Sequence, residues 1–535
     1  MNIRGAFLLS HLNKRNYSGR IIVCTNGKDL RKYIETQNIR AVNRYITVLG
    51  LCLLVSYGWG QAYVDYNTDV ERAYFAVIAL DFEEGKVILD SLSTAQPDNL
   101  AILHIENYLD FFTLFISEKE TDFERLKPNK DKRLKALREA DLDSPYADFI
   151  EAEIILQWAL TRSKFDELLL SARELYKAYK ILENAKEAHP DFLLYNKSLS
   201  IIHALAETIP DVIKSIIGLS GSIGQGVDEI TALIDKVEVD HNWSMFLQES
   251  ETIYAFIMLY QQNLPEEAWT YYQSSSVAKS DSPVAKFVGV KLAQRSGQNS
   301  EALDLLNTIP SDEMDKFAYL HFLKGLCQLR DLNPDADISF EAFIDEFEGR
   351  HYIKESYQKL GWYALVIDDN IPQYKSAMAK CQQYGQATID DDKQALKAAK
   401  SDAVPHPDLL RARVLYDGGY YQRAFNYLIV KSHNLYYDDE YKAEYLYRMG
   451  RITQMLLNYP DAITYYSELI DDVDYSESFF ACNAALQTGI IYEGQGDYAQ
   501  AKIYFDRCLS MRPDDYQYSL HQKAKSGLNR LKSNN

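Results

Sequence analysis

Apolar residues recur at three- and four-residue intervals through most of the chain, and no stretch alternates as a strand would, so the pattern predicts helices throughout. The clearest stretch is Cys482–Asp515. Numbered from Cys482, it has Gly489 at place 8, Tyr492 at 11, Ala501 at 20, Phe505 at 24, Cys508 at 27 and Pro513 at 32. Those places describe two antiparallel helices. Gly489 and Ala501 are small where the helices cross, Tyr492 and Phe505 fill the space beside the crossing, and Pro513 ends the second helix because it has no amide hydrogen to donate.

The same places return, more or less degraded, along the chain. Counted from Tyr66 they hold Ala73, Ala76, Gly85, Leu89 and Pro97. Asn99–Glu118 reads as a strongly apolar helix, and the basic stretch Lys127–Glu139 as a turn and a solvated helix start. A long pair follows, Ser144–Thr161 and Phe165–His189, with Ala178, Leu182 and Ala185 at the expected places and Pro190 as its stop. Leu193–Pro210 is a further helix, and Ile216–Ile230 a glycine-rich corner. Ala268 and Tyr272, then Gly297, Ala302 and Pro310, mark two later pairs. Gly325 and Gly361 stand thirty-six apart, with Phe340 and Phe343 between them. Tyr384–Ser401 lacks the small and aromatic places and suggests an internal boundary. Beyond it Gly419 and Ala424 match Gly496 and Ala501, and Gly450, Ala462 and Tyr466 match Gly489, Ala501 and Phe505. Ser519–Leu531 is an amphipathic basic helix suited to covering the last apolar face. The expected divisions are a leader (1–62), two stretches of degenerate repeats (63–240 and 241–400) and a regular final stretch with its closing helix (401–535).

This spacing resembles the tetratricopeptide-repeat family, whose unit is a 34-residue helical pair, and in particular its exported Bacteroidetes-like members. The corner Ile216–Ile230 is also similar, over some thirty residues, to a segment of the tetratricopeptide repeat protein 39 family, helical-repeat proteins without catalytic motifs. The resemblance implies an all-α solenoid of antiparallel helix pairs that binds protein or peptide in a concave groove. In such arrays the first helix of each pair faces the groove. The family's inward places put Glu444, Tyr447, Arg451, Gln454 and Met455 there, with Arg448 beside them, then Asn483, Leu486, Ile490 and Glu493 in the next repeat. Tyr447, Arg448, Arg451, Gln454 and Asn483 are therefore the candidate peptide-binding residues. Arg448 and Arg451 suit an acidic or C-terminal peptide through charge-assisted hydrogen bonds. The competing reading pairs both arginines with neighbouring acids. The chaperone-type carboxylate clamp is not reproduced.

Charge narrows the partners. A net charge of −20 argues against a general nucleic-acid binder, which needs a basic face. The aromatic balance, 40 Tyr against 22 Phe, suits helices whose rings pack while their hydroxyls reach water. The leader alone carries nine Lys/Arg and two Asp/Glu. Arg40 and Arg44 precede the apolar run Tyr45–Ala62, which reads as an export signal cleaved after Ala62, or alternatively as an uncleaved anchor; the run is short for a membrane span. The bulky Leu51 before Cys52 argues against a lipoprotein signal. The expected location is the periplasm or the outer membrane of a Gram-negative cell.

No catalytic or metal-binding spacing is present. HExxH, GxSxG and calcium-loop patterns are absent, and no cysteines stand as CxxC. Gly218, Gly221, Gly224 and Gly226 do not form a phosphate loop, because no Lys follows and no strand precedes. The acidic runs Asp390–Asp392, Asp438–Glu440 and Asp471–Asp474 read as solvated turns. Cys482 and Cys508, on opposite helices of one pair, read as small core residues, the alternative being two thiols that approach each other. The function expected is a non-enzymatic, cofactor-free binding scaffold. The alternative is a SusD-like glycan-capturing partner, which would need tryptophan platforms from Trp158, Trp243, Trp269 or Trp362.

Overall fold

The computed structural model describes residues 61–208, 218–401, 403–438, 440–472, 475, 477–513 and 515–533. The leader, its signal and the Cys52 question lie outside the described residues, as does the junction 209–217. Residues 62–535 form one compact unit. Among the described residues the chain is all-α: 26 α-helices and a few 3-10 and π turns, with a single isolated bridge, Tyr63 to Asn99, as the β-type pairing.

One turn geometry joins helix to helix. Leu80, Asn263, Gly297, Gly419, Leu457 and Gly496 all take the left-handed backbone. In this turn the next residue's amide reaches back to a carbonyl of the preceding helix: Asp81 to Ala76, Gln298 to Ala293, Tyr420 to Leu415, Asn458 to Thr453 and Asp497 to Tyr492. Five residues after the left-handed position stands a small buried residue, in order Gly85, Ala268, Ala302, Ala424, Ala462 and Ala501. The turn sets the direction of the second helix and the small residue lets it close on the first. Leu332 and Asp369 belong to the same series of left-handed turns. From Asn263 the turns are 34, 35 and 37 residues apart (297 − 263, 332 − 297, 369 − 332), then 50 (419 − 369), then 38 and 39 (457 − 419, 496 − 457).

The long interval holds the stretch Tyr384–Ser401. It carries an extra helix, Asp390–Lys400, with Ala395 and Ala399 buried. Asp392 is also fully buried, so the run Asp390–Asp392 is not a solvated turn. Its carboxylate accepts the amides of Tyr352 (2.8 Å) and Glu355 (3.0 Å), capping the helix Ile353–Val366, whose own first residue supplies no side-chain cap. The helix Pro407–Asp417 then serves two cores, with Leu410 and Val414 facing back and Leu409, Ala412 and Leu415 facing forward.

The basic stretch Lys127–Glu139 is not a turn. It continues the helix Glu120–Glu139 through Pro128, with Leu134 and Leu137 buried. Its cations are matched to acids on neighbouring helices: Arg133 to Asp110 (2.6 Å), Lys127 to Glu167 (2.7 Å) and Lys130 to Glu174. In the glycine-rich corner, a Cβ on Gly226 would lie 2.6 Å from the Ser200 carbonyl oxygen. The helices Tyr195–Thr208 and Ile223–Val239 can therefore meet only over a bare backbone.

Contacts distant in sequence also bind the unit. The loop after Phe347 returns to the end of the helix Ala101–Ser117. There the Glu118 carboxylate accepts the His351 amide (3.1 Å), faces its Nδ1 (2.9 Å) and receives Lys164 (2.5 Å). Arg350 reaches Glu120 (2.8 Å) and Asp166 from the same loop. Burial alone would raise the Glu118 carboxyl, but the His351 hydrogen bond and the Lys164 charge outweigh it and hold it at about 2. A carboxyl depressed from 4.5 contributes stability that is complete above 4.5 and is lost as pH falls toward 2. Glu118→Gln should therefore cost about 3 kcal/mol at neutral pH. In denaturant titrations its deficit against the wild type should shrink as pH is lowered from 5 to 3; a deficit constant across that range would contradict the linkage.

Candidate functional site

The helices Ile353–Val366, Pro407–Asp417, Lys442–Met455 and Phe479–Gly494 and the closing helix Gln517–Ser533 surround a groove of about 960 Å³. Tyr447, Arg448, Arg451 and Asn483 line it. Gln454 does not. It stands in the same row, but its carbonyl accepts the Tyr466 hydroxyl at 2.7 Å and its amide donates to Gln487 at 3.2 Å. From there the row runs on: Gln487 donates to Asn483 (3.2 Å), and Asn483 donates to the Tyr447 hydroxyl (2.8 Å). These bonds fix the amide orientations along two adjacent helices before any ligand arrives.

The two arginines differ. Arg448 is paired with Glu444 one turn earlier, Nε lying 2.8 Å from the carboxylate. Arg451 meets no carboxylate among the described residues. It donates to the Tyr416 hydroxyl from Nε (3.1 Å) and Nη2 (2.5 Å). A phenol accepts hydrogen bonds without cancelling the charge, so this guanidinium remains an uncompensated cation in the groove.

Sequence reasoning passed over several lining residues. Arg413 and Tyr416 occupy the places of Arg451 and Gln454 one repeat earlier, at the 38-residue spacing of Gly419 and Leu457, so the register held the signal. Arg413 is exposed and lies 3.7 Å from Asp417. Trp362 is sandwiched between Lys359 (4.0 Å) and Arg413 (4.6 Å). Phe479 meets Tyr447 edge-on and Phe480 meets it tilted, with centroids 6.0 and 5.2 Å away, and burial pushes the Tyr447 phenol up. The groove thus has an aromatic floor, a fixed row of amides and a cation held open.

A second cluster had no sequence signal. Lys197 is 1% exposed and lies 2.6 Å from Glu153 and 2.9 Å from Glu249, while donating to the Tyr108 hydroxyl at 2.6 Å. Tyr74 and Tyr108 donate to Glu249 (3.2 and 2.8 Å), and Tyr66 bonds His104 Nδ1 (2.7 Å). Burial holds the His104 imidazole down and therefore neutral, the nearby Glu153 opposing only in part. Cys482 and Cys508 are free thiols 3.6 Å apart in the final core. Among the described residues no group of three His, Cys, Asp or Glu side chains is placed to hold a metal, and no helix is long and apolar enough to cross a membrane. No protein-family model matches the chain, and no curated protein matches it.

Proposed function

We propose that the chain is a tetratricopeptide-repeat solenoid of the cell envelope, whose groove captures an acidic or C-terminal peptide of a partner protein without catalysing a reaction. The recurring left-handed turn, followed five residues later by a small buried residue, supports the repeat reading. The observation that carries the function is Arg451, a cation without a carboxylate partner beside preordered amides and aromatic rings. Preordering lowers the entropy cost of capturing an extended chain. Export rests on the pattern Arg40–Ala62, of which 40–60 lie outside the described residues. The glycan-capturing alternative draws no support from the tryptophans: Trp158, Trp243 and Trp362 are buried and Trp269 is half-buried.

Fluorescence anisotropy with a labelled, glutamate-rich peptide ending in a free carboxylate tests the reading. Arg451→Ala should weaken binding at least about tenfold, the worth of one hydrogen bond to a charged group. Arg448→Ala should do less, because Glu444 already occupies that side chain. Equal affinity of wild type and Arg451→Ala would remove the groove from the account.

A further inference from the structure

The second cavity, about 510 Å³, lies between the helices Ala101–Ser117, Leu247–Phe256 and Pro283–Arg295 and is closed by the loop ending at Tyr352. Phe112, Phe115, Phe256, Phe287, Phe317 and Phe347 are among its wall residues. Phe115 (36% exposed) and Tyr260 (48%) are wall residues that also meet solvent, which places a mouth there. The volume falls in the range of small-molecule sites, and a wall of this composition asks for an apolar ligand.

Four charged groups on the wall, unlike in state, decide what else the ligand must carry. Glu249 is occupied by Lys197, Tyr74 and Tyr108, and Lys164 by Glu118. Lys291 makes no ion pair or hydrogen bond with any described residue; what it has is the Tyr319 ring, 5.9 Å from its Nζ. Arg295 on its own helix and Arg330 on the helix Tyr319–Arg330 face it with like charge, and Arg330 Nη1 is itself buried without a partner. The acids that face it are Glu355, which lies 3.0 Å from Lys359, and Asp391; Tyr319 and Tyr352 complete its surroundings. A half-buried ammonium at the edge of an aromatic cavity thus has no anion in direct contact among the described residues.

We propose that this cavity binds a single-chain aliphatic carboxylate, its tail among the phenylalanines and its head on Lys291. One ammonium on the wall matches one negative charge; Arg295 and Arg330, the cations that could meet the second charge of a phosphate dianion, do not line the cavity. The site is separate from the groove and does not rest on the peptide reading. Burial, and then the charges of Arg330 and Arg295, push the Lys291 amine down to about 8, so carboxylate affinity should be level below that pH and decline above it.

Isothermal titration of the full chain with octanoate, decanoate and dodecanoate, below their micelle concentrations, tests this, with dodecan-1-ol as the uncharged control. Saturable binding at one site is expected, tightening roughly fourfold per methylene, with dodecanol at least about tenfold weaker than dodecanoate. Lys291→Met should remove that preference, leave dodecanol unchanged and raise the melting temperature, because an unpaired buried charge is gone. Lys291→Arg should restore the preference. Val284→Trp, which fills the cavity from its wall, should abolish both ligands. Equal affinities for dodecanoate and dodecanol, an unchanged preference in Lys291→Met, or binding that survives Val284→Trp would each overturn the proposal.

Discussion

Lys197→Met is expected to destabilise the N-terminal part of the unit by about 3–5 kcal/mol, the cost of leaving buried charge without its partner. The ammonium comes from the helix Tyr195–Thr208. It meets Glu153 from Pro145–Lys164, Glu249 from Leu247–Phe256 and Tyr108 from Ala101–Ser117, so one charge ties four helices together. Burial by itself would favour the neutral amine, but the two carboxylates outweigh it and keep Lys197 charged. Methionine would sit comfortably among the rings of Tyr108, Phe149 and Phe246, which already lie 5.3–5.7 Å from Nζ. The loss is therefore electrostatic. Buried Glu153 and partly exposed Glu249 would remain without a cation, and Glu153 would have to take up a proton.

That distinction has a pH signature. In the wild type, burial tends to raise the Glu153 carboxyl, but the Lys197 charge outweighs it and holds the carboxyl well below its ordinary value, so its contribution fades as pH falls through the acid range. In Lys197→Met the same carboxyl should rise above its unfolded value, and stability should increase as pH falls toward 4.5. Adding Glu153→Gln should recover part of the loss at neutral pH. Hydrogen exchange of the four helices is the suitable measurement, since a long array need not unfold in one step. Identical protection in wild type and Lys197→Met would show that the cluster is not what holds these helices.

What the sequence could reveal follows from the range of each interaction. Gly489 beneath Phe505 and Gly450 beneath Tyr466 are steric pairs within one hairpin, so their spacing is written locally and is legible. Asp392 and Lys197 act on other segments. Asp392 caps a helix whose N-cap, Tyr352, lies forty residues earlier, and Lys197 takes partners 44, 52 and 89 residues away (197 − 153, 249 − 197, 197 − 108); nothing in their own surroundings marks them. The basic stretch Lys127–Glu139 looked solvated because its acids lie on other helices. In the candidate groove the inward register located Tyr447, Arg448, Arg451 and Asn483, but a register cannot tell which side chain is already engaged, and Gln454 is held by Tyr466 and Gln487. The difference between Arg448 and Arg451 needed coordinates for the same reason. Lys291 is further still from sequence reach, since its significance lies in having no partner.

The other large effect is expected at Phe505. The ring is fully buried between two glycines: a Cβ on Gly489 would lie 2.6 Å from one edge, and a Cβ on Gly527 would lie 2.6 Å from the other. It is thus the common surface of the helices Phe479–Gly494, Tyr498–Ser510 and Gln517–Ser533. Phe505→Ala should cost about 3–5 kcal/mol, because backbones on both sides limit how far the space can collapse. The closing helix depends on it most. Its buried residues are few, Leu520, Ala524 and Leu531, and its exposed pair Arg530–Glu493 adds little. In a stacked array a fault at the end spreads only to its neighbours. Hydrogen exchange in Phe505→Ala should therefore quicken over Gln517–Ser533 first, then over the two helices beneath it, while the helices before Lys442 keep their protection. Because Tyr516, Leu520 and Lys523 line the groove, peptide affinity should fall with the loosening of that helix even though Arg451 is untouched. A uniform rise in exchange along the whole chain would instead mean that the array unfolds as one cooperative body, with Phe505 stabilising all of it.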